Sequence, residues 1–166
     1  RADFSNTIFI ITGDHRMPEI PMATKIDRYH VPLIIYSTLL NRSKTFAAMS
    51  SHLDITPSLI SLLKHQYNFK TPTAATWMGT GLDTSASFRN VHSYPLIQTK
   101  NDLVDYVMND YMLNGNDLYK ISNNMGLEPV MDDNKKARLK AAFAMFKQKN
   151  DKLSATTSMV PDSLLR

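Results

Sequence analysis

Apolar residues form nearly unbroken runs early in the chain and shorter segments with polar turns between them later. Thr7–Thr12 and Val31–Tyr36 are short and rich in β-branched side chains. Such runs predict buried strands of the parallel-sheet type, apolar on both faces. Asp54 has the chemistry of a helix cap, and Pro57 falls within the first turn, where a missing N–H costs little. Ile55, Leu59, Leu62 and Leu63 follow at helical spacing, which predicts a helix from Asp54 through about Lys64. Tyr67 to Ser87 reads as a loop-rich crossing punctuated by Pro72, Gly79 and Gly81.

From Phe88 the pattern shortens. Phe88–Tyr94, Leu96–Thr99, Leu103–Met108, Tyr111–Leu113 and Leu118–Ile121 predict an antiparallel meander over roughly Ser87–Ser122. Asn114-Gly115-Asn116 is its strongest hairpin signal. Asp132 or Asp133 then caps a helix through about Gln148. Leu139, Ala142, Phe143 and Phe146 make its apolar face, and Lys135, Arg138, Lys140, Lys147 and Lys149 mostly face water. Residues from Leu153 read as a Ser/Thr-rich frayed tail. Met22, Met49, Met108, Met125 and Met145 read as core filler.

The 166 residues are enough to bury a core. The net charge is +4 and the isoelectric point about 9.3, a mild basicity that reads as spread along the chain. It lacks the dense basic stripe of a nucleic-acid binder, so no nucleic-acid partner is expected. The chain has no Cys, which excludes disulfides and thiolate metal sites. No apolar run approaches the length of a membrane span, and no signal peptide is visible.

Chemistry concentrates where the first strand ends. Gly13 breaks the run with a residue that tolerates unusual backbone angles, and Asp14 and His15 follow on the loop. Ligands of open α/β sheets bind at that edge, and an adjacent carboxylate and imidazole suit zinc or manganese. The bland alternative is an Asp that caps a turn.

Three segments in order strengthen the metal reading. They are the apolar strand ending in Asp14-His15, then His30-Val31-Pro32-Leu33-Ile34-Ile35, then Asp54-Ile55-Thr56-Pro57-Ser58-Leu59-Ile60-Ser61-Leu62. The set resembles the C-terminal part of the sulfatase-like branch of the alkaline phosphatase superfamily. Trp77-Met78-Gly79-Thr80-Gly81-Leu82-Asp83 is similar to a segment found in lipoteichoic acid synthases and phosphoglycerol or phosphoethanolamine transferases. The resemblance is firmest over residues 5–83.

That resemblance implies an α/β fold: a fragment of an alkaline-phosphatase-like mixed sheet flanked by helices, then a small antiparallel sheet with a C-terminal helix. Residues 1–83 would be the C-terminal part of the catalytic domain, 84–152 a small antiparallel subdomain with its helix, and 153–166 a tail. Asp14 and His15 would bind a catalytic manganese or zinc ion, or calcium in a true sulfatase. The nucleophile and remaining ligands would lie upstream, so the isolated chain would be inactive.

The implied activity is metal-dependent transfer of a phosphoryl group from a phospholipid donor. A sulfatase or phosphate-ester hydrolase acting on an anionic ester is the alternative, and a non-catalytic scaffold module the second. The parent would be anchored by a missing N-terminal region, with its catalytic domain at the outer face of the cytoplasmic membrane or in the periplasm. The rest of the catalytic domain would be the chain's partner.

His52 is a further candidate ligand, with helix entry or hydrogen bonding as its other role. Arg16, where sulfatases usually carry Gly, and His30, where the family often has Arg, are candidate substrate contacts. Arg16 could equally pair with Glu19 or face solvent, and His30 could simply start a strand. His65 suits a helix C-terminus. His92 reads as structural, and Trp77, Gly79 and Gly81 as packing and turn residues.

Overall fold

The structure is a computed structural model and describes residues 2–71, 75, 77–97, 99 and 102–155. The fold is mixed α/β. Strands β1 (Phe9–Thr12) and β2 (Leu33–Tyr36) form a two-stranded antiparallel sheet. Helix α1 (Ile55–Tyr67) follows. Then β3 (Ser93–Ile97), β4 (Leu103–Met108), β5 (Tyr111–Asn114), β6 (Asp117–Ser122) and β7 (Gly126–Pro129) form a five-stranded antiparallel meander in sequential order. Helix α2 (Asp133–Ser154) closes the described part.

The first pair corrects the parallel, buried reading. Phe9 lies opposite Tyr36 and Thr12 opposite Leu33, an antiparallel register. Every residue of β2 is exposed, and of β1 only Ile10 is half-buried. A run apolar on both faces says that both faces need cover; it does not fix strand direction. Phe4, Phe9 and Tyr36 cluster on one side with ring centroids 5.5 to 6.3 Å apart.

The meander follows its alternation. Val107 and Met112 point into one layer with Tyr94 and Ile121, where Ile26 and Met49 from the first half of the chain join them. Neighbouring Tyr106 and Leu113 point the other way, with Leu118, onto Leu139 and Phe143 of α2. Tyr106 and Phe143 stack at 5.1 Å. The core thus crosses the boundary drawn at residue 83. The helix face read from the sequence is the face that packs, with Ala142 and Phe146 half-buried beside it.

Two two-residue hairpins set the register. Asn114 pairs with Asp117 around Gly115, whose φ of +60° is glycine's natural territory. Met108 pairs with Tyr111 around Asn109 (φ 51°), the turn expected between Leu103–Met108 and Tyr111–Leu113. The two expected strands over 88–99 are one strand, β3, with Pro95 inside it. Its place at the sheet edge tolerates a missing N–H. β7, unforeseen, is the opposite edge and ends on Pro129.

Asp132 Oδ1 accepts the Lys135 N–H at 2.8 Å and caps α2, which runs six residues beyond the expected end. Of the methionines read as filler, Met49 is buried but Met22 and Met145 are exposed. The tail expected from Leu153 lies outside the described residues from 156 onward, as does Pro72.

Candidate functional site

The Asp-His pair sits at the carboxyl end of β1. Gly13 is closely packed, since a Cβ there would stand 3.2 Å from the His15 carbonyl oxygen and 3.4 Å from Val31 Cβ. The chain therefore curls tightly after the strand and brings the two side chains together. Asp14 Oδ1 accepts the His15 backbone N–H at 3.0 Å. The His15 ring nitrogen Nδ1 lies 2.7 Å from the Arg16 carbonyl oxygen. A carbonyl only accepts, so Nδ1 carries a proton, and in the neutral ring Nε2 then keeps its lone pair.

Nε2 stands 3.7 Å from Asp14 Oδ1. Two ligands about 2.1 Å from one tetrahedral ion would be separated by about 3.4 Å. The pair therefore fits two positions of a metal shell with little adjustment. An imidazole whose other nitrogen donates to a backbone carbonyl is the usual outer-shell arrangement of a metal ligand. Both side chains are open to water, Asp14 at 91 % and His15 at 72 % exposure.

His52 opens a 3₁₀ turn (His52–Asp54) leading into α1. Its Nε2 lies 3.0 Å from Thr12 Oγ1, the last side chain of β1. This contact joins the helix entry to the carboxyl end of β1, next to Asp14 and His15. Among the described residues, no three His, Asp or Glu side chains gather at metal-holding distance, so Asp14, His15 and His52 do not form a complete shell.

Arg16 is engaged locally. Its Nη1 donates to the carbonyls of Met17 (2.9 Å), Pro18 (3.2 Å) and Ile20 (2.8 Å), wrapping the loop around the guanidinium. Among the described residues it makes no ion pair with Glu19. His30 ends the 3₁₀ turn Lys25–Tyr29, its N–H donating to the Asp27 carbonyl at 3.2 Å. Its side chain is exposed and bonds to neither Asp14 nor His15. His65 lies in the last turn of α1, beside Lys64.

The sequence reading missed a buried carboxylate hub. Asp54, taken only as a cap, is 2 % exposed. Its Oδ2 accepts from Ser51 N (2.8 Å) and Ser51 Oγ (3.0 Å), and its Oδ1 from Thr80 N (3.0 Å) and Gly81 N (3.3 Å). Leu82 N donates to Ser58 Oγ and Asp83 N to Ser50 Oγ, so segment 80–83 is laced onto the start of α1. The signal was present in the sequence: two of the family-like segments are the two halves of this clasp.

His92 Nδ1 lies 3.1 Å from Thr80 Oγ1 and 3.7 Å from Asp54 Oδ1. Acid, imidazole and hydroxyl are adjacent, but acid and hydroxyl share one ring nitrogen. A proton relay needs them on opposite nitrogens. Nε2 is buried without a partner among the described residues. The trio therefore reads as a structural clasp, in line with the structural role expected of His92.

Nearby charges follow from these contacts. Arg89 grips Asp83 with two hydrogen bonds, at 2.7 and 2.9 Å, and these hold the Asp83 carboxyl below its ordinary range. Burial, reinforced by the Asp54 charge, pushes the Tyr94 phenol up. Burial and a 2.8 Å bond to Asp105 do the same for Tyr29. That bond closes one side of a cavity of about 230 Å³ lined by Met22, Lys25, Arg28, Tyr29, Asp105 and Asn114.

Comparison of the chain with protein-family models, with curated proteins and with solved structures finds no match.

Proposed function

We propose that this chain is the metal-binding C-terminal portion of a metal-dependent phosphoryl-group transferase of sulfatase-like fold. The observation that carries the reading is the Asp14–His15 pair. Strand β1 delivers it, and the Arg16 carbonyl orients His15 so that its Nε2 stands beside the Asp14 carboxylate. A hard anionic oxygen with an imidazole nitrogen suits manganese or zinc.

When bound, a divalent ion supplies Lewis-acid activation of a hydroxyl nucleophile and neutralises charge on the transferred group. The chain's own residues orient the site. Gly13 allows the tight curl, Thr12 ties His52 and the α1 entry to the strand end, and Arg16 holds the loop. The nucleophile and remaining ligands would come from outside residues 1–166. A phospholipid donor and a site at the outer face of the cytoplasmic membrane complete the proposal, with ester hydrolysis as its alternative. Among the described residues no helix is long and apolar enough to cross a membrane.

The test is paramagnetic manganese titrated into the isotopically labelled chain. Expected is selective broadening of the Asp14 and His15 resonances at low metal-to-protein ratio, reversed by excess zinc and lost in Asp14→Ala and His15→Ala. Uniform broadening, or broadening unchanged in both variants, would overturn the assignment and leave a non-catalytic scaffold module as the better reading.

A further inference from the structure

Helix α2 holds seven of the chain's 19 basic residues and two of its 15 acidic ones. That surplus of five exceeds the chain's net charge of +4, so all other residues together are slightly acidic. The basicity is therefore not spread along the chain but concentrated on one helix. Leu139 and Phe143 fix which side of α2 meets the sheet, and so which side faces out.

At helical spacing, Arg138, Lys149 and Lys152 fall on one row with Met145, which is 57 % exposed. Lys136, Lys140 and Lys147 fall on a second row. Between the rows runs an uncharged, exposed strip of Ala137, Ala141, Ala144 and Gln148. Asp133 is occupied by Lys136 at 3.2 Å, and Asp151 is the one other acid on the helix. Lys140 donates to the neutral Asn116 amide and Lys147 sits 4.2 Å over the Phe143 ring, so both keep their charge uncompensated. Among the described residues no carboxylate pairs with Arg138, Lys149 or Lys152.

We propose that the outward face of α2 is an electrostatic docking surface for an anionic lipid bilayer. The helix spans about 33 Å at 1.5 Å per residue, long enough to lie along a plane. The Arg138–Lys149–Lys152 row beside a neutral strip lets long Lys and Arg stems reach headgroups while the strip and Met145 approach the surface, whereas Lys136, Lys140 and Lys147 are held by Asp133, Asn116 and the Phe143 ring. Charge complementarity selects anionic headgroups. The strip offers methyl groups and a single amide, with no aromatic platform on which bases would stack, which favours a bilayer over a nucleic acid. The proposal rests on α2 and is independent of the metal pair.

The experiment is co-sedimentation of the purified chain with phosphatidylcholine vesicles, with and without about one-third phosphatidylglycerol. Expected is binding to the anionic vesicles only, lost in high salt. Arg138→Gln/Lys149→Gln/Lys152→Gln should weaken it on the order of a hundredfold, since each basic group near an anionic surface contributes about a fivefold factor. Arg42→Gln/Lys44→Gln/Lys70→Gln, the same charge change away from α2, should bind well above that variant. Far-UV circular dichroism verifies that both variants fold. Three results would overturn the proposal: equal binding to neutral vesicles, undiminished binding of the α2 variant, or tighter and equally α2-dependent binding to a single-stranded oligonucleotide.

Discussion

Replacing Asp54 by Ala removes four hydrogen bonds from one carboxylate. Bonds to a charged group contribute about 1.5–3 kcal/mol each, but their sum overstates the loss because the charge was itself desolvated on folding. Breaking such a buried charged network by deleting one partner costs about 3–5 kcal/mol. Thr80 is exposed, so its freed amide can turn to water, which places Asp54→Ala near the lower end, at about 3 kcal/mol. Asp54→Asn keeps an acceptor for Thr80 and Gly81 but turns an NH₂ toward the donors of Ser51, for a loss of about 2 kcal/mol. Urea unfolding measures both. Amide hydrogen exchange supplies the specific readout: the Thr80 and Gly81 amides are protected in the wild type and exchange freely in Asp54→Ala. If Asp54→Ala unfolds within about 1 kcal/mol of wild type while both amides stay protected, the hub argument fails.

Gly79→Ala should be destabilising by about 1–3 kcal/mol in differential scanning calorimetry, because its Cβ would fall 1.9 Å from the Leu53 carbonyl oxygen, a backbone atom that cannot swing away. Leu139→Ala, at a position 1 % exposed between α2 and the sheet, should lose about 2–5 kcal/mol in urea unfolding. Asp83→Asn should lower the thermal midpoint at neutral pH. Because Arg89 depresses the Asp83 pKa, that stabilisation is present above the ordinary carboxylate value and fades as pH falls below about 3.9. The midpoints of wild type and Asp83→Asn should therefore converge in acid, and a constant gap would refute the linkage.

How much of this was legible in the sequence depends on whether the physics is local. The meander was readable because short apolar runs such as Leu103–Met108 and Tyr111–Leu113 with polar turns between them are a local property, as is the Asn-Gly hairpin. The face of α2 was readable for the same reason. The strand directions of β1 and β2 were not, since a run like Phe9–Thr12 is apolar whichever neighbour it pairs with. Pro95 split one edge strand into two expected ones because its position at the edge is a tertiary fact. The Asp14–His15 pair was found as a dipeptide, but its tautomer depends on where the Arg16 carbonyl turns. Asp54 shows the limit most clearly: its partners Thr80 and Gly81 lie 26 and 27 positions away. Its cap chemistry concealed that its carboxylate makes no cap bond to α1 and instead holds Ser51 and a distant loop.

The β1–β2 pair connects fold and proposed function. A two-stranded ribbon is marginal by itself in water. Here Ile11 and Ile34 lie opposite one another at 57 % and 53 % exposure, and the flanking pair Ile10–Ile35 presents the other face. One side has partial cover from Phe4 over Phe9 and Tyr36. Under the proposed function these open faces and the half-filled ligand shell are one deficiency. Any layer that packs on Ile11 comes within three residues of Asp14, so the elements that would bury the strand would also bring side chains to the metal pair. Burial would lower the local dielectric, strengthen the attraction between a cation and the Asp14 carboxylate, and remove the water that now competes for both ligands. Under the proposed function, then, the pair is oriented by its own loop, and its remaining walls would come from elsewhere.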